Sequence, residues 1–227
     1  MLHPKTKYSI SAIWWFYLPL ALFFGIMISH LANPAFHKQY IEGELGFLEN
    51  FHTLIIGAAF FVAAFLLKPI FSTGNKWLTA WVGIACLACL YIFLEEISYG
   101  QHFMQWEASE YWQNINDQNE TNLHNTSSWL DQKPRLILEI GVIIGGIIMP
   151  LLARFKPSAL PEKFNIIYPS SALFIISILA ELVHMSDALY DVTKVTLFGR
   201  SSELQETFYF YFMLIYLVML RRKIKLG

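Results

Sequence analysis

The fold is decided by Trp77–His102, WLTAWVGIACLACLYIFLEEISYGQH. From Trp77 to Leu94 there is no charge, and the run ends directly on Glu95-Glu96. A helix of this length crosses most of a hydrocarbon core about 30 Å thick. A helix apolar on every side is either a membrane span or the core of a large protein. Five more stretches of the same kind lie at 12–32, 51–67, 136–153, 166–185 and 204–220. The reading is therefore all-α: a polytopic membrane protein, a bundle of six transmembrane helices. The connectors carry breakers: Asn33-Pro34, Lys68-Pro69, Thr73-Gly74-Asn75, Lys133-Pro134, Pro157 with Pro161, and Gly199. The longest connector, 95–135, is read as a polar outer loop. Pro19 should kink the first span, which is too long to be a cleaved signal peptide.

Composition agrees. The 227 residues are 56% hydrophobic, 16% aromatic and 15% charged, against about 25% charged in soluble domains. This excludes a disordered chain, a nucleic-acid binder with a basic face and a disulfide-stapled secreted module. Cys86 and Cys89 form CxxC inside an apolar run, where two thiols serve as small packing groups.

The net charge of −1 hides a polarised chain. Six spans put Lys5, Lys7, Lys68, Lys76, Arg154, Lys156, Lys163, Arg221, Arg222, Lys223 and Lys225 on one face. Lys38, Lys133, Arg135, Lys194 and Arg200 are on the other, so the 16 bases divide 11 to 5. The positive-inside rule places the richer face, with both termini, in the cytoplasm of a bacterial inner membrane. Of the 17 acids only Glu162 lies on that face. Insertion does not demand such a split, because acids contribute little to topology.

The outer face therefore holds the candidate chemistry. Glu95, Glu96 and Glu181 are expected at helix C-termini, where the dipole disfavours an anion, and they are the candidate catalytic carboxylates. Glu49, Glu139 and Glu206 open helices, and the dipole accounts for them. Glu95 shares a helical face with Ser98 and Tyr99, and Gly100 is expected to end the helix. The loop reads Asn114-Ile115-Asn116-Asp117-Gln118-Asn119-Glu120-Thr121-Asn122-Leu123-His124-Asn125, mostly amides and acids. Gln101, Asn116, Gln118, Glu120, Asn122 and Asn125 are candidates for binding a polar head group, since amides offer both donors and acceptors. Of seven histidines, at 3, 30, 37, 52, 102, 124 and 184, only His3 is on the cytoplasmic side. Imidazole with carboxylate is suitable ligation for zinc or another divalent metal, so His124, His184 and Asp187 are candidate ligands. No tight metal-binding spacing such as HExxH occurs.

On EEISYGQ (Glu95–Gln101) and NINDQNETNLHN (Asn114–Asn125), the chain resembles a group of uncharacterised bacterial multi-pass membrane proteins. Their pattern is EExSWGQ followed by N-x-Q-x-E-x-N-L-H-N, preceded by an acidic, glycine-containing approach to the second span (Glu42, Gly43, Glu44, Gly46 and Glu49 here). The resemblance covers residues 40 to 125. Tyr99 stands where the group has Trp, and His102 where Arg is common, which argues against an essential His102. The group implies a membrane location and no activity. In chemistry alone, Ser98-x-x-x-His102 and His184 are similar to the Ser, Asp and His set around zinc in alkaline-ceramidase-like intramembrane hydrolases.

The leading expectation is an outer-face site that binds or hydrolyses a lipid or other amphiphile with metal assistance. A metal would activate water and a carboxylate would take its proton. One alternative is an ion-coupled transporter, although the cytoplasmic halves of the spans lack ionisable residues. The other is a non-catalytic membrane subunit that docks a protein partner through 103–135. Membrane lipids are the expected partners.

Overall fold

The computed structural model describes residues 10–42, 46–116 and 118–226. His3, Lys5, Lys7, Gly43, Glu44 and Asp117, and the side chain of His102, lie outside them. Helix is the only regular secondary structure among the described residues. Among the described residues, five helices are long and apolar enough to cross a membrane: α1 (Ile13–Ala32), α2 (Phe47–Ser72), α3 (Lys76–Glu96), α4 (Gln132–Phe155) and α5 (Leu173–Thr193). A further long helix, α6 (Ser201–Leu226), is not among those five. Tyr209, Tyr211 and Tyr216 interrupt its apolar stretch, and Arg221, Arg222, Lys223 and Lys225 end it.

Proline leaves a mark on two of these helices. The stretch Ile13–Tyr17 before Pro19 is π-helical, and so is Ile143–Ile148 before Pro150. A proline has no N–H to donate and its ring crowds the preceding turn, so the ladder shifts register there. Pro69 lies inside the last turn of α2, and Pro134 lies inside the helix that begins at Ser128. Neither ends its helix, contrary to the expected breakers. The turn at Thr73–Asn75 is where expected. Gly74 takes φ +69, and the Asn75 side chain caps α3 by accepting from Leu78 N–H at 3.1 Å.

The chain forms two compact units. One is Met1–His52 with Gly141–Gly227, and the other is Thr53–Ile140. In the first, α6 runs along α5, and α5 also packs against α1. Phe208, Tyr209, Phe210, Tyr211 and Phe212 are consecutive and all buried. An enclosed helix can carry tyrosines because their hydroxyls find partners. Tyr211 donates to the Trp14 carbonyl at 2.5 Å and Tyr216 to the Ile167 carbonyl at 2.9 Å. Close approach rests on Gly146, where a Cβ would fall 1.7 Å from Ser177 Oγ and 2.9 Å from the Phe212 ring.

In the second unit α2 and α3 form a helical hairpin. Gly57 faces the Phe93 ring, which a Cβ at 57 would meet at 2.9 Å. Leu54, Phe65, Ile84, Leu87 and Ile137 are strongly exposed, as suits side chains that meet lipid. Cys86 and Cys89 are buried and unbridged.

Two boundaries move functional residues. Helix α5 begins at Leu173, after Pro169, and continues to Thr193, where Lys194 adopts φ +58. Glu181 is therefore mid-helix and not at a C-terminus as expected. Helix α3 ends at Glu96, ahead of Gly100. Segment 97–127 carries short helical pieces at Gln101–Met104, Glu110–Ile115 and His124–Thr126.

Candidate functional site

The polar cluster lies in the second unit, where segment 97–127 folds over the end of α3. Ser98, Tyr99 and Gly100 all have positive φ, at 45°, 54° and 103°. A left-handed residue other than glycine costs roughly 1–2 kcal/mol. Hydrogen bonds made by both side chains offset this. Ser98 Oγ donates to Glu120 Oε2 at 3.0 Å, and Tyr99 OH donates to Glu95 Oε1 at 2.8 Å. The turn thus brings Glu95, Ser98 and Tyr99 together, though not by regular helical spacing.

Glu95 is 3% exposed. Its Oε2 accepts from the successive backbone N–H groups of Leu123 at 2.7 Å and His124 at 2.9 Å. The His124 ring also donates to Oε2 through Nδ1 at 3.3 Å. With Tyr99, four donors surround one carboxylate. Such charge-assisted bonds are the strong ones in proteins, and together they compensate for burying an anion. The His124 side chain is 32% exposed against 4% for Glu95. A buried carboxylate thus holds a partly open imidazole. Partial burial of the Tyr99 hydroxyl, and its bond to Glu95, push that phenol up to about 12.

Glu120 is the second centre. Besides Ser98, its Oε2 accepts from Asn122 Nδ2 at 2.6 Å and Asn125 Nδ2 at 3.1 Å. Asn116 Nδ2 donates to Asn122 Oδ1 at 2.8 Å. Asn116 Oδ1 accepts from the backbone N–H of Gln118 at 3.0 Å and of Glu120 at 3.2 Å. Gln101 Oε1 accepts from Thr121 N–H at 2.7 Å, and Asn125 Nδ2 donates to Gln118 Oε1 at 3.1 Å. Asn116 and Asn122 are buried. Asn116, Gln118, Glu120, Asn122 and Asn125, five of the six residues expected to bind a head group, are thus tied to one another, and Gln101 holds the same segment through Thr121.

The remaining candidates are placed differently. Glu96 is half-buried at the last position of α3. Glu181, His184 and Asp187 are on α5, in the first unit. Both carboxylate oxygens of Asp187 accept from Ser201 Oγ, at 2.7 and 2.8 Å, which ties α5 to the start of α6.

A group that the sequence reading did not assemble lies within the first unit. His30, His37 and Glu42 each offer a ligand atom, all within 4.8 Å of one another. His37 Nε2 is 2.9 Å from Glu42 Oε1, and His37 Nδ1 is 2.7 Å from Ser29 Oγ. Burial holds the His37 imidazole below its usual range, with Glu42 pulling the other way. The available signal was the Asn33-Pro34 break, which reverses the chain between the two histidines.

Set against known proteins, the chain matches no family model, no curated protein and no solved structure.

Proposed function

We propose that this chain is a six-span inner-membrane protein whose 95–126 cap is a general acid–base site acting on a lipid or similar amphiphile. In this reading α6 is the sixth span, the richer basic face and both termini are cytoplasmic, and the cap faces outward. The observation that carries the proposal is the Glu95–His124 pair. A buried carboxylate accepting from Nδ1 fixes the imidazole tautomer and makes Nε2 the basic nitrogen. His124 then accepts a proton from an attacking water or hydroxyl, and Glu95 stabilises the imidazolium that forms. The Glu95 oxygens are already taken by four protein donors, which favours a positioning role over metal ligation. The Glu120 network supplies the rigidity such a site requires.

An amphiphilic substrate follows from the exposed apolar side chains of the same stretch of chain. Phe103 is 71% exposed, Met104 74% and Tyr111 66%, with Trp106 and Trp129 also exposed. Aromatic and apolar side chains beside a polar network suit the bilayer interface. The resemblance to the EExSWGQ group is consistent with a site in this segment.

The test is lipid mass spectrometry on vesicles of native lipid carrying the purified full chain. The wild type should deplete one amphiphile class over time, and His124→Gln should abolish that depletion while the protein remains folded. Identical lipid profiles for wild type and His124→Gln would remove the catalytic reading. Co-purification of a protein partner, lost in the same variant, would favour the docking alternative.

A further inference from the structure

We propose that His30, His37 and Glu42 bind a divalent transition-metal ion of the zinc class. Ser29 Oγ donates its single hydrogen to the Ile26 carbonyl at 2.8 Å. Its oxygen must then accept from His37 Nδ1, 2.7 Å away. In that tautomer the lone pair of the ring is on Nε2, which faces Glu42 Oε1 at 2.9 Å. At that distance the two atoms share either a proton or a metal ion, and the same geometry serves both. His37 is 1% exposed and the Glu42 side chain 12%, so solvent does little to screen the pair. An imidazole with Nδ1–H anchored to a fixed oxygen and Nε2 turned toward a carboxylate has the orientation of a metal ligand.

His30 completes the set. Its ring stands edge-on to His37 with centroids 5.0 Å apart. Two imidazoles and one carboxylate suit zinc and its neighbours better than calcium or magnesium, which prefer oxygen. Three protein ligands leave a fourth position for water.

The fold builds this group deliberately. Asn33 leaves helical geometry at φ −148°, and its side chain caps the next turn by accepting from Phe36 N–H at 3.1 Å. That break carries His37 back to His30. Arg200 Nη1 donates to the Glu42 carbonyl at 3.1 Å, and its other nitrogen pairs with Glu203 at 2.5 Å. Gly199 provides the seat for the Glu42 carboxylate, since a Cβ there would fall 1.7 Å from Oε1. Residues distant in sequence thus fix the one ligand that is on a loop. This site is independent of the Glu95–His124 pair.

The experiment uses the full chain in detergent, stripped with a chelator and titrated with Co(II), whose visible absorption reports four-coordinate ligation. The wild type should take up roughly one equivalent, displaced by Zn(II). His30→Ala and Glu42→Gln should weaken binding by about tenfold or more, and His124→Ala should not. Gly199→Ala changes no ligand atom and should weaken binding too, which keeps the test open if a ligand variant does not fold. Absence of Co(II) uptake by the wild type would overturn the site. So would an unchanged titration in both Glu42→Gln and Gly199→Ala.

Discussion

The cap of the second unit and the His30–His37–Glu42 group of the first both pair a carboxylate with a histidine, and the rest of their chemistry differs. Glu95 meets four donors, and its histidine approaches through Nδ1. Glu42 meets a histidine whose Nδ1 is already bonded elsewhere, so Nε2 faces it. A carboxylate ringed by donors orients its neighbours. A carboxylate facing the second ring nitrogen of an anchored imidazole shares a proton or a metal ion with it. Residue types alone do not separate these roles; the hydrogen-bond directions do.

The comparison can be broken at several points. The largest effect is expected for Glu95→Ala. Removing the acceptor strands the Leu123 and His124 N–H groups in a buried place, at a cost of roughly 3 kcal/mol or more. Denaturant unfolding in detergent measures it, and a loss below about 1 kcal/mol would show that the cap does not depend on this carboxylate. Asn122→Ala should cost about 2 kcal/mol, because Asn122 is fully buried and bonds Asn116, Ser98 and Glu120 together. If that variant leaves the protease sensitivity of segment 116–126 unchanged, the amides do not hold the loop.

On the other side of the comparison, Glu42→Gln keeps an acceptor oxygen and should cost about 1 kcal/mol without metal. Its signature is loss of the rise in melting temperature that Zn(II) gives the wild type. The smallest effect belongs to Tyr99→Phe, about 0.5 kcal/mol, and it carries a pH signature. The phenol is raised from 10.0 to about 12 in the folded chain. The neutral form is therefore favoured by folding. Its contribution is whole below pH 10 and is lost as pH rises from 10 through about 12. The stability difference between wild type and Tyr99→Phe should shrink across that window and stay constant below it.

The parts legible in the sequence are those set by local pattern. Uncharged runs marked five helices to within a few residues at most ends, and Gly74-Asn75 marked the turn between α2 and α3. Helix α6 was read by the same criterion but differs from the other five, because an enclosed helix is free to carry tyrosines that bond to backbone carbonyls. Glu181 was misplaced in its helix because α5 continues past Met185 through Ser186 and Asp187, which bond to Val183 O and Ser201.

Glu95 and His124 stood out in the sequence as members of one candidate site, but the way they bond did not. It depends on the left-handed turn at Ser98–Gly100, which no residue type before Gly100 announces. The amides were visible as a group, and the bonds they make with one another are seen only in three dimensions. The His30–His37–Glu42 group was hidden for a related reason. Its members are ordinary on their own, and it forms only because the Asn33 break and the contacts of Gly199 and Arg200 bring them together.

Backbone hydrogen exchange across residues 120–127 tests the central claim most directly, in wild type and in Glu95→Ala. If the buried carboxylate holds the cap and aims His124, the Leu123 and His124 amides exchange slowly in the wild type. In the variant they exchange much faster, while the amides of α3 stay protected. Equal exchange at those two amides in both proteins would contradict the account.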